Sequence, residues 1–252
     1  MTAVVCLHSS QSSGAQWRPL LRFFREQKVD IVSPDLIGYG ACPQAAPEDS
    51  QAFRLADEVS MLSEHCESFA RRPLHLVGHS YGAALALKIA KDNPAQVASL
   101  TLYEPVSFHV LADDDPAREQ ISGVSANMES LSEEESARLF VDYWNYPGYF
   151  DALPERVQRV MLGQQKKVLA DFAALLGEPA QLQDYAAVQC PVLLMHGDAS
   201  PLSSRRVAQL LGQTLPQCTE LSINGGHMAP VTDPASVMPA MTDFLLQQLA
   251  IE

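Results

Sequence analysis

The sequence has 252 residues, of which 47% are hydrophobic. This is enough to bury one substantial core with an inserted subdomain, and it excludes a disordered chain. The chain carries 17 Lys and Arg residues against 30 Asp and Glu residues, which gives a formal net charge of -13. Because such a charge repels phosphate backbones and anionic lipid headgroups, we expect no nucleic-acid partner and no membrane partner.

The first residues, MTAVVCLHSS, lack the basic leader and the apolar core of a secretion signal. No apolar run approaches the roughly 20 residues that are needed to span a bilayer. The cysteines are odd in number and lack the paired short spacings of a zinc site, so we expect reduced thiols and no bound metal. They are Cys6, Cys42, Cys66, Cys190 and Cys218. Together these features predict a cytoplasmic location.

Short runs rich in Val, Leu and Ile recur along the chain between helix-like stretches. Their hydrophobicity is continuous rather than alternating, which indicates strands that are buried on both faces of a parallel sheet. In chain order they are AVVCLH (3–8), VDIVSPD (29–35), LHLVGH (74–79), SLTLYEP (99–105), PVLLMHG (191–197) and CTELSI (218–223). The sequence therefore predicts an α/β fold with helices on both faces of the sheet.

Three connecting stretches have apolar residues at helical spacing and end at a breaker. AALALKIAKDNPAQV (83–97) ends its helix at Asn93-Pro94, and SSRRVAQLLGQTLP (203–216) ends at Pro216. The final stretch, 235–252, predicts a closing amphipathic helix in which Pro239 is a first-turn residue or a kink. These stretches are predicted to cover the sheet.

The interval 107–188 contains no convincing strand. It predicts helices over SEEESARLFVDYWN (132–145) and over the single stretch 154–177, the first capped by Ser132 with Glu135 three residues later. We therefore predict an α/β core made of residues 1–106 and 189–252, with residues 107–188 inserted as a helical cap, or lid.

The predicted cap holds half of the aromatic residues of the chain. Most of these side chains are expected to pack the cap helices against the core. Some should line a pocket, because a lid over a ligand site is largely apolar. The predicted pocket residues are Tyr143, Trp144, Tyr146 and Met228.

Residues 78–82, Gly-His-Ser-Tyr-Gly, match the pattern G-x-S-x-G between a predicted strand and a predicted helix. A tight turn at that junction requires small flanking residues and holds the Ser80 hydroxyl clear of the backbone, at a helix N-terminus that favours negative charge. The pattern alone is also compatible with a glycine-rich turn whose serine has no chemical role. The hydroxyl becomes reactive only if other groups remove its proton and stabilise an anion beside it.

With three further segments in the same order, this motif resembles the α/β-hydrolase superfamily, in its serine-nucleophile, esterase-like branch with a helical cap. HSSQSSGAQWRPL (8–20) is similar to the oxyanion loop of that family, and PDLIGYGAC (34–42) to its D-x-x-G-x-G-x-S turn, with Cys42 in the place of the serine. Gly225-Gly226-His227 resembles the segment that carries the catalytic histidine. The resemblance implies the α/β-hydrolase fold over nearly the whole chain.

Relative to that family, the sheet is predicted to be reduced. The family often has two extra strands before the one that leads to the oxyanion loop, but this chain reaches His8 after only seven residues. We therefore expect a parallel sheet of six strands, with VDIVSPD (29–35) at one edge. A loop or a second copy of the chain could cover that edge, so a homodimer is one expectation.

The resemblance also implies roles for individual residues. Ser80 would be the nucleophile, and His227 the general base that later protonates the leaving group. The backbone N–H groups of Ser10 and Tyr81 would form the oxyanion hole. The other two histidines near these motifs, His8 and His79, are interpreted as structural.

The acid of the triad is left open by the sequence. The family usually places it three residues after the glycine that ends the next-to-last strand, but here Ser200 stands in that position. Glu104, at the end of SLTLYEP, is the favoured substitute, because some family members carry the acid at that earlier strand end. Asp198 is the alternative, and a site without an acid is the third reading.

The function implied is a serine hydrolase that cleaves small, largely apolar carboxylic esters through an acyl-enzyme, without a cofactor. The serine argues against the dehalogenase and epoxide-hydrolase branches, which use a carboxylate nucleophile. Thioesterase, lactonase, cofactor-free peroxidase and carbon-carbon hydrolase remain alternatives on the same fold. A ligand-binding, receptor-like protein without turnover is an alternative of another class.

Overall fold

Six parallel strands form one sheet in the computed structural model, which describes residues 3–42, 44–71 and 73–250. The strand order is β2-β1-β3-β4-β5-β6. The strands are β1 (Ala3–Leu7), β2 (Ile31–Val32), β3 (Leu74–His79), β4 (Val97–Tyr103), β5 (Val192–Gly197) and β6 (Cys218–Ile223). The predicted α/β fold with six parallel strands is confirmed.

The central strands are buried on both faces, as their continuous apolar sequences predict. All five residues of β1 have no exposed surface, and all six residues of β3 are buried. The strand that follows β1 in the chain, β2, lies on one side of the β1-β3 pair, and the strand that follows β3, β4, lies on the other side. The order of the strands therefore reverses between β1 and β3. Such a reversal leaves a crevice at the carboxyl ends of the strands, where ligands of open α/β sheets bind.

Helices cover both faces of the sheet. On one face, α1 (Arg18–Glu26) and α11 (Pro234–Ala250) share an apolar core, and α11 continues through Pro239. The opposite face is covered mainly by α2 (Leu55–His65), α3 (Tyr81–Asp92) and α9 (Leu202–Thr214). The short α10 (Ala229–Thr232) precedes α11. As predicted, α3 ends just before Asn93 and α9 before Pro216.

The chain between β4 and β5 forms five α-helices in the described residues. They are α4 (Pro116–Ser130), α5 (Glu133–Trp144), α6 (Tyr149–Ala152), α7 (Glu155–Gly163) and α8 (Gln165–Leu176). The predicted capping of the N-terminus of α5 by Ser132 is present. Ser132 Oγ accepts a hydrogen bond from the amide of Glu135, and the Glu135 carboxylate accepts one from the amide of Ser132. The division into a core and a cap at 107–188 stays a prediction.

The single helix predicted over 154–177 is wrong, because the chain breaks at Gln164 into α7 and α8. Gly163, at the junction, lowers the helix propensity there. Burial explains the break: α7 has no buried residue, whereas eight of the twelve residues of α8 are buried. A surface helix and a core helix therefore follow each other in different environments.

Strand β2 is shorter than the predicted run 29–35. Only Ile31 and Val32 pair with β1, at the edge of the sheet. Beyond them, Ser33 Oγ donates to the carbonyl of Gly14 at 2.9 Å, and Asp35 accepts from the amide of Gly14 at 2.7 Å. These bonds turn the chain away from the sheet. Among the helices of the described residues, none is both long and apolar enough to cross a membrane.

Candidate active site

Ser80 lies in a strained turn between β3 and α3. Its backbone has φ 55° and ψ -116°, a conformation that non-glycine residues rarely adopt. The flanking glycines are required by space: a Cβ on Gly78 would lie 2.5 Å from Cα of Ala83, and one on Gly82 would lie 2.6 Å from the carbonyl oxygen of His8. The turn therefore presses directly against the loop that follows β1, and it presents the Ser80 hydroxyl at the N-terminus of α3.

His227 lies opposite this turn, in the loop after β6. Its Nε2 accepts a hydrogen bond from Ser80 Oγ at 2.9 Å. The loop is held from the core: His79 Nε2 donates to the carbonyl of His227 at 2.9 Å, and the Tyr103 hydroxyl donates to the carbonyl of Gly226 at 2.8 Å. Burial lowers the pKa of His79 to about 3, so His79 is neutral and acts as a fixed donor to this loop. The serine and the histidine picked out by sequence are thus brought together.

Glu104 is the carboxylate that contacts His227. Its Oε2 accepts from His227 Nδ1 at 2.6 Å, while its Oε1 accepts from the amide of Gly197 at 2.6 Å and from the hydroxyl of Ser200. The side chain is fully buried, and its backbone has φ 45°. Burial raises the pKa of Glu104, but the bonds from His227, Ser200 and the amide outweigh it and leave the pKa below its usual value. The carboxylate is therefore ionised at neutral pH.

The alternative acid, Asp198, is not at the histidine. It is exposed, and its Oδ1 accepts from the amide of Gly225 at 3.1 Å. Ser200, which stands in the usual position of the acid, is buried and donates to Glu104 instead. Of the two carboxylates that the sequence left open, the geometry joins Glu104 to His227 and leaves Asp198 to close a turn.

The two residues predicted to supply oxyanion donors flank Ser80. Tyr81 is the first residue of α3, so its N–H has no acceptor within the helix, and its hydroxyl donates away from the site to Glu58 at 3.2 Å. Ser10 lies in the loop after β1, beside Ser80 at both cavities described below. The loop is anchored by His8, whose Nε2 accepts from the amide of Leu36 at 3.0 Å. The role of both amides stays a prediction.

Gln16 links three segments of the site. Its Oε1 accepts from the amide of Ser9 at 3.3 Å and from the Ser9 hydroxyl at 3.1 Å. Its Nε2 donates to His79 Nδ1 at 3.0 Å, and His79 in turn donates to the backbone of His227. The loop after β1, the turn at Ser80 and the histidine loop are therefore joined by one chain of hydrogen bonds.

Two cavities meet at Ser80. The outer cavity has a volume of about 130 Å³ and is bounded by His227, the inserted helices and the end of α10. The inner cavity, of about 20 Å³, lies deeper, against α8. Both are lined by Ser10, Ser80, Phe140 and Trp144, but only the outer one is lined by His227.

Of the predicted pocket residues, Trp144 and Met228 line the outer cavity, and their contact with a substrate stays a prediction. The Trp144 ring lies 4.0 Å from the His227 ring, centroid to centroid. Tyr143 and Tyr146 are corrections, because neither is among the described residues that line these two cavities. The Tyr143 hydroxyl bonds to the Ser203 hydroxyl at 2.7 Å, and Tyr146 is 58% exposed and packs edge-on against Tyr149.

Sequence reasoning missed several lining residues. Phe140 lies four residues before Trp144 in α5, so helical spacing places both on one face and could have identified it. The others come from short connections or from surface helices and carry no comparable signal. The missed residues of the outer cavity include Gln11, Phe140, Tyr149, Leu153, Met161 and Val231.

Within residues 3–42, 44–71 and 73–250, no three His, Cys, Asp or Glu side chains are grouped so as to bind a metal ion. The chemistry that the arrangement allows is proton transfer from a hydroxyl to an imidazole whose other nitrogen is held by a buried carboxylate.

The model of the alpha/beta hydrolase family matches residues 4–240, and the chain belongs to that family. Lipase LipV of Mycobacterium tuberculosis is 32% identical over 133 residues, which are 53% of this chain and 47% of LipV. The chain thus covers less than half the length of this relative. A haloalkane dehalogenase of Bradyrhizobium diazoefficiens is 26% identical over 88% of this chain and 80% of its own.

A solved structure has the same fold over the whole length. The thermophilic esterase of Thermogutta terrifontis superimposes with a TM-score of 0.70 at 21% identity, covering 98% of this chain and 90% of its own. At this identity the likeness shows the fold alone. The protein is therefore a hydrolase-family member with esterase-like and lipase-like relatives.

Proposed function

We propose that this protein is a serine esterase that cleaves small, largely apolar carboxylic esters through an acyl-enzyme. The observation that carries the proposal is the continuous set of hydrogen bonds from Ser80 Oγ to His227 at 2.9 Å and from His227 to Glu104 at 2.6 Å. The set lies beside two largely apolar cavities. A neutral serine hydroxyl is a weak nucleophile, and this arrangement is what activates it.

In the first half-reaction, Ser80 Oγ attacks the ester carbonyl carbon while its proton passes to His227 Nε2. Glu104 keeps the Nδ1 proton of His227 in place and stabilises the imidazolium that forms. The carbonyl oxygen becomes an oxyanion that the amides of Ser10 and Tyr81 receive. His227 then protonates the leaving alcohol, and the acyl group stays on Ser80.

In the second half-reaction, water takes the place of the alcohol. His227 removes a proton from the water as the water attacks the acyl carbon, and it returns that proton to Ser80 Oγ when the carboxylic acid leaves. The sum is one ester and one water giving one alcohol and one carboxylic acid. No step needs a cofactor.

The two cavities suggest how the ester divides. The leaving alcohol must be within reach of His227, which lines only the outer cavity, so the alcohol part fits there and the acyl part fits the inner cavity. A cavity needs a volume of roughly 10–15 Å³ to hold one water-sized or methyl-sized group. The inner cavity, at about 20 Å³, suits a short acyl chain, whereas the outer cavity, at about 130 Å³, suits a larger alcohol.

The lining also favours a neutral substrate. Among the described residues that line the two cavities, none is a lysine or an arginine. An anionic substrate, such as a dienoate carboxylate, would therefore find no cation to pair with. This supports the ester reading over a carbon-carbon hydrolase of acidic diketones.

The proposal is tested by labelling and by a substrate panel. A fluorophosphonate should label the wild-type protein and should not label Ser80→Ala. With p-nitrophenyl esters of rising acyl length, kcat/KM should fall by about tenfold or more for each methylene beyond the capacity of the inner cavity. Phe172→Ala, which enlarges the inner cavity, should shift the optimum to longer chains, and exposed Tyr146→Ala is the matched control.

Two results would count against the proposal. Absence of labelling in the folded wild-type protein, with tight binding of an apolar ligand, would favour a receptor-like protein. A panel in which thioesters or lactones are turned over far faster than every ester would replace the esterase by another acyl hydrolase that uses the same Ser80.

A further inference from the structure

A buried ionic cluster borders the inner cavity and includes none of the three residues of the proposed triad. Lys167 of α8 has no exposed surface, and its Nζ donates to Glu58 of α2 at 3.0 Å and to Asp171, one turn further along α8. The ammonium group is surrounded by the rings of Tyr39, Phe53 and Tyr81, whose centroids lie 4.7 to 4.8 Å away. We call these residues the Lys167 cluster.

A fully buried charge is costly to desolvate. Burial lowers the pKa of Lys167, but Asp171 and Glu58 outweigh that effect and raise it above its usual value, so the lysine is charged. Apolar residues in place of Lys167, Glu58 and Asp171 together would pack the same space without the cost of desolvating three charges. The cluster therefore calls for an explanation beyond the packing of α8.

Asp171 connects the cluster to the proposed oxyanion loop. Its Oδ2 accepts from the Ser10 hydroxyl at 2.6 Å and from the Tyr39 hydroxyl at 2.6 Å, while its Oδ1 is held by Lys167. Asp171 also lines the inner cavity together with Ser10 and Ser80. Because both of its oxygens are fixed, this carboxylate cannot swing away from Ser10.

We propose that Asp171 is a positioning residue, which holds the Ser10 side chain so that the Ser10 amide faces the oxygen of the acyl group bound at Ser80. The inference rests on the proposed esterase function, in which that amide is an oxyanion donor. It assigns to one of the inserted helices a part in the catalytic geometry of the core. Lys167 and Tyr39 fix Asp171, and Asp171 fixes Ser10.

The hydrogen bond between Asp171 and Ser10 is suited to this task. It is charge-assisted, and such bonds are about twice as strong as neutral ones. The loop needs such a hold, since the next residue, Gln11, has the positive φ of 54°. In addition, Lys167 offsets the negative charge of Asp171, which would otherwise oppose an oxyanion forming beside Ser80.

The test compares Ser10→Ala, Asp171→Asn and the double variant. Ser10→Ala keeps the backbone amide and the Lys167 cluster but removes the hydroxyl that Asp171 holds. We expect each single variant to lower kcat by about 10-fold to 100-fold with little change in KM, which is less than the about 10²-fold to 10³-fold cost of deleting an oxyanion donor. The double variant should be about as impaired as the worse single one, because both changes break the same link.

The matched control is Glu178→Gln. Glu178 is also a buried carboxylate of the inserted segment, held by Lys88 at 3.2 Å, but it lines neither cavity. This variant should keep the wild-type kcat.

A further readout separates positioning from loss of folded protein. A trifluoromethyl ketone forms a tetrahedral adduct with the serine, in which the former carbonyl oxygen carries the negative charge. Its Ki should rise in Ser10→Ala by the same factor as kcat/KM falls. The end point of fluorophosphonate labelling, which counts competent sites, should stay at the wild-type level.

The inference is overturned if Ser10→Ala keeps the wild-type kcat and ketone affinity, or if the losses of the two single variants multiply in the double variant. If Asp171→Asn does not fold, the kcat and the ketone affinity of Ser10→Ala are enough to test the inference, because Ser10→Ala leaves the Lys167 cluster intact. A wild-type protein that fluorophosphonate does not label would instead refute the esterase function, and with it this inference. The two failures are therefore distinct.

Discussion

Glu104→Gln changes the charge of the group that holds His227 while keeping its size. In the structure, Glu104 Oε1 accepts from the amide of Gly197 and from Ser200, so the carbonyl oxygen of a glutamine must take that position. The amide nitrogen then faces His227 Nδ1, which lies 2.6 Å from Oε2 in the wild type. Because an amide nitrogen only donates, the Nδ1 atom must accept, and the imidazole proton moves to Nε2.

The result is the wrong tautomer for catalysis. A protonated Nε2 cannot accept the proton of Ser80, although the distances around it are unchanged. In a hydrolase with a comparable triad, such a change lowers kcat by about 10⁴-fold, which corresponds to about 5.4 kcal/mol of barrier. We expect a loss of this order for Glu104→Gln, with KM nearly unchanged.

The assay is hydrolysis of p-nitrophenyl acetate, with thermal unfolding measured in parallel to show that the variant is folded. Asp198→Asn is the matched control, since Asp198 is exposed and its side chain accepts only from the Gly225 amide in the described hydrogen bonds. It should keep activity within about threefold of the wild type. The reasoning is refuted if folded Glu104→Gln retains a tenth or more of the activity while Asp198→Asn loses several orders of magnitude.

Three further predictions concern stability. Gly82→Ala should lower the free energy of unfolding by about 1–3 kcal/mol, because the new Cβ would lie 2.6 Å from the carbonyl oxygen of His8. Gly123→Ala in α4 is the control: its Cβ would meet nothing within 4 Å, so this variant should be more stable than the wild type. Both are read by urea unfolding, and equal losses would contradict the steric reason. Ser200→Ala removes a hydrogen bond to a buried carboxylate and should cost about 1.5–3 kcal/mol in the same assay; no loss would mean that the bond is absent in solution. The pKa of Glu104 is lowered from 4.5, so the stability that its ionised form contributes is present above pH 4.5 and is lost as pH falls through the lowered pKa. The difference in Tm between the wild type and Glu104→Gln should therefore become smaller in acid. A difference that grows in acid would contradict the lowered pKa.

The sheet and the turn at Ser80 were predictable because their signals are local. A continuous apolar run identifies a buried strand, and two glycines around a serine at a strand end identify the turn. The bounds of β2 were not predictable, because Gly14, which is distant in sequence, binds Ser33 and Asp35 and ends the pairing. In the same way, the break at Gln164 depends on which helix is buried, which no local pattern shows.

The sequence identified the three residues that the structure joins by hydrogen bonds, Ser80, His227 and Glu104, but not the residues around them. The sequence offered Glu104 and Asp198 as acids, and only the packing of β4 against β5 shows which one contacts His227. Tyr143 and Tyr146 were expected in the pocket because the cap is rich in aromatic residues, but the residue type alone does not tell which way a side chain points. The Lys167 cluster carries no sequence signal, since its ions come from α2 and from α8, about a hundred residues apart.

The pairing of β3 with β4 places His79 beside Tyr103. Ser80 directly follows β3 and Glu104 directly follows β4, so the two residues leave neighbouring strands at the same level. The Ser80 amide donates to the Tyr103 carbonyl at 2.9 Å. The distance between Ser80 and Glu104 is therefore set by the pairing of β3 with β4 and not by a loop. The helices between β4 and β5 emerge only after this point, so an engineer who grafts in a different set of helices to alter substrate range should find both groups undisturbed. Only the hold on Ser10 would be lost, unless the graft retains a carboxylate where Asp171 now stands.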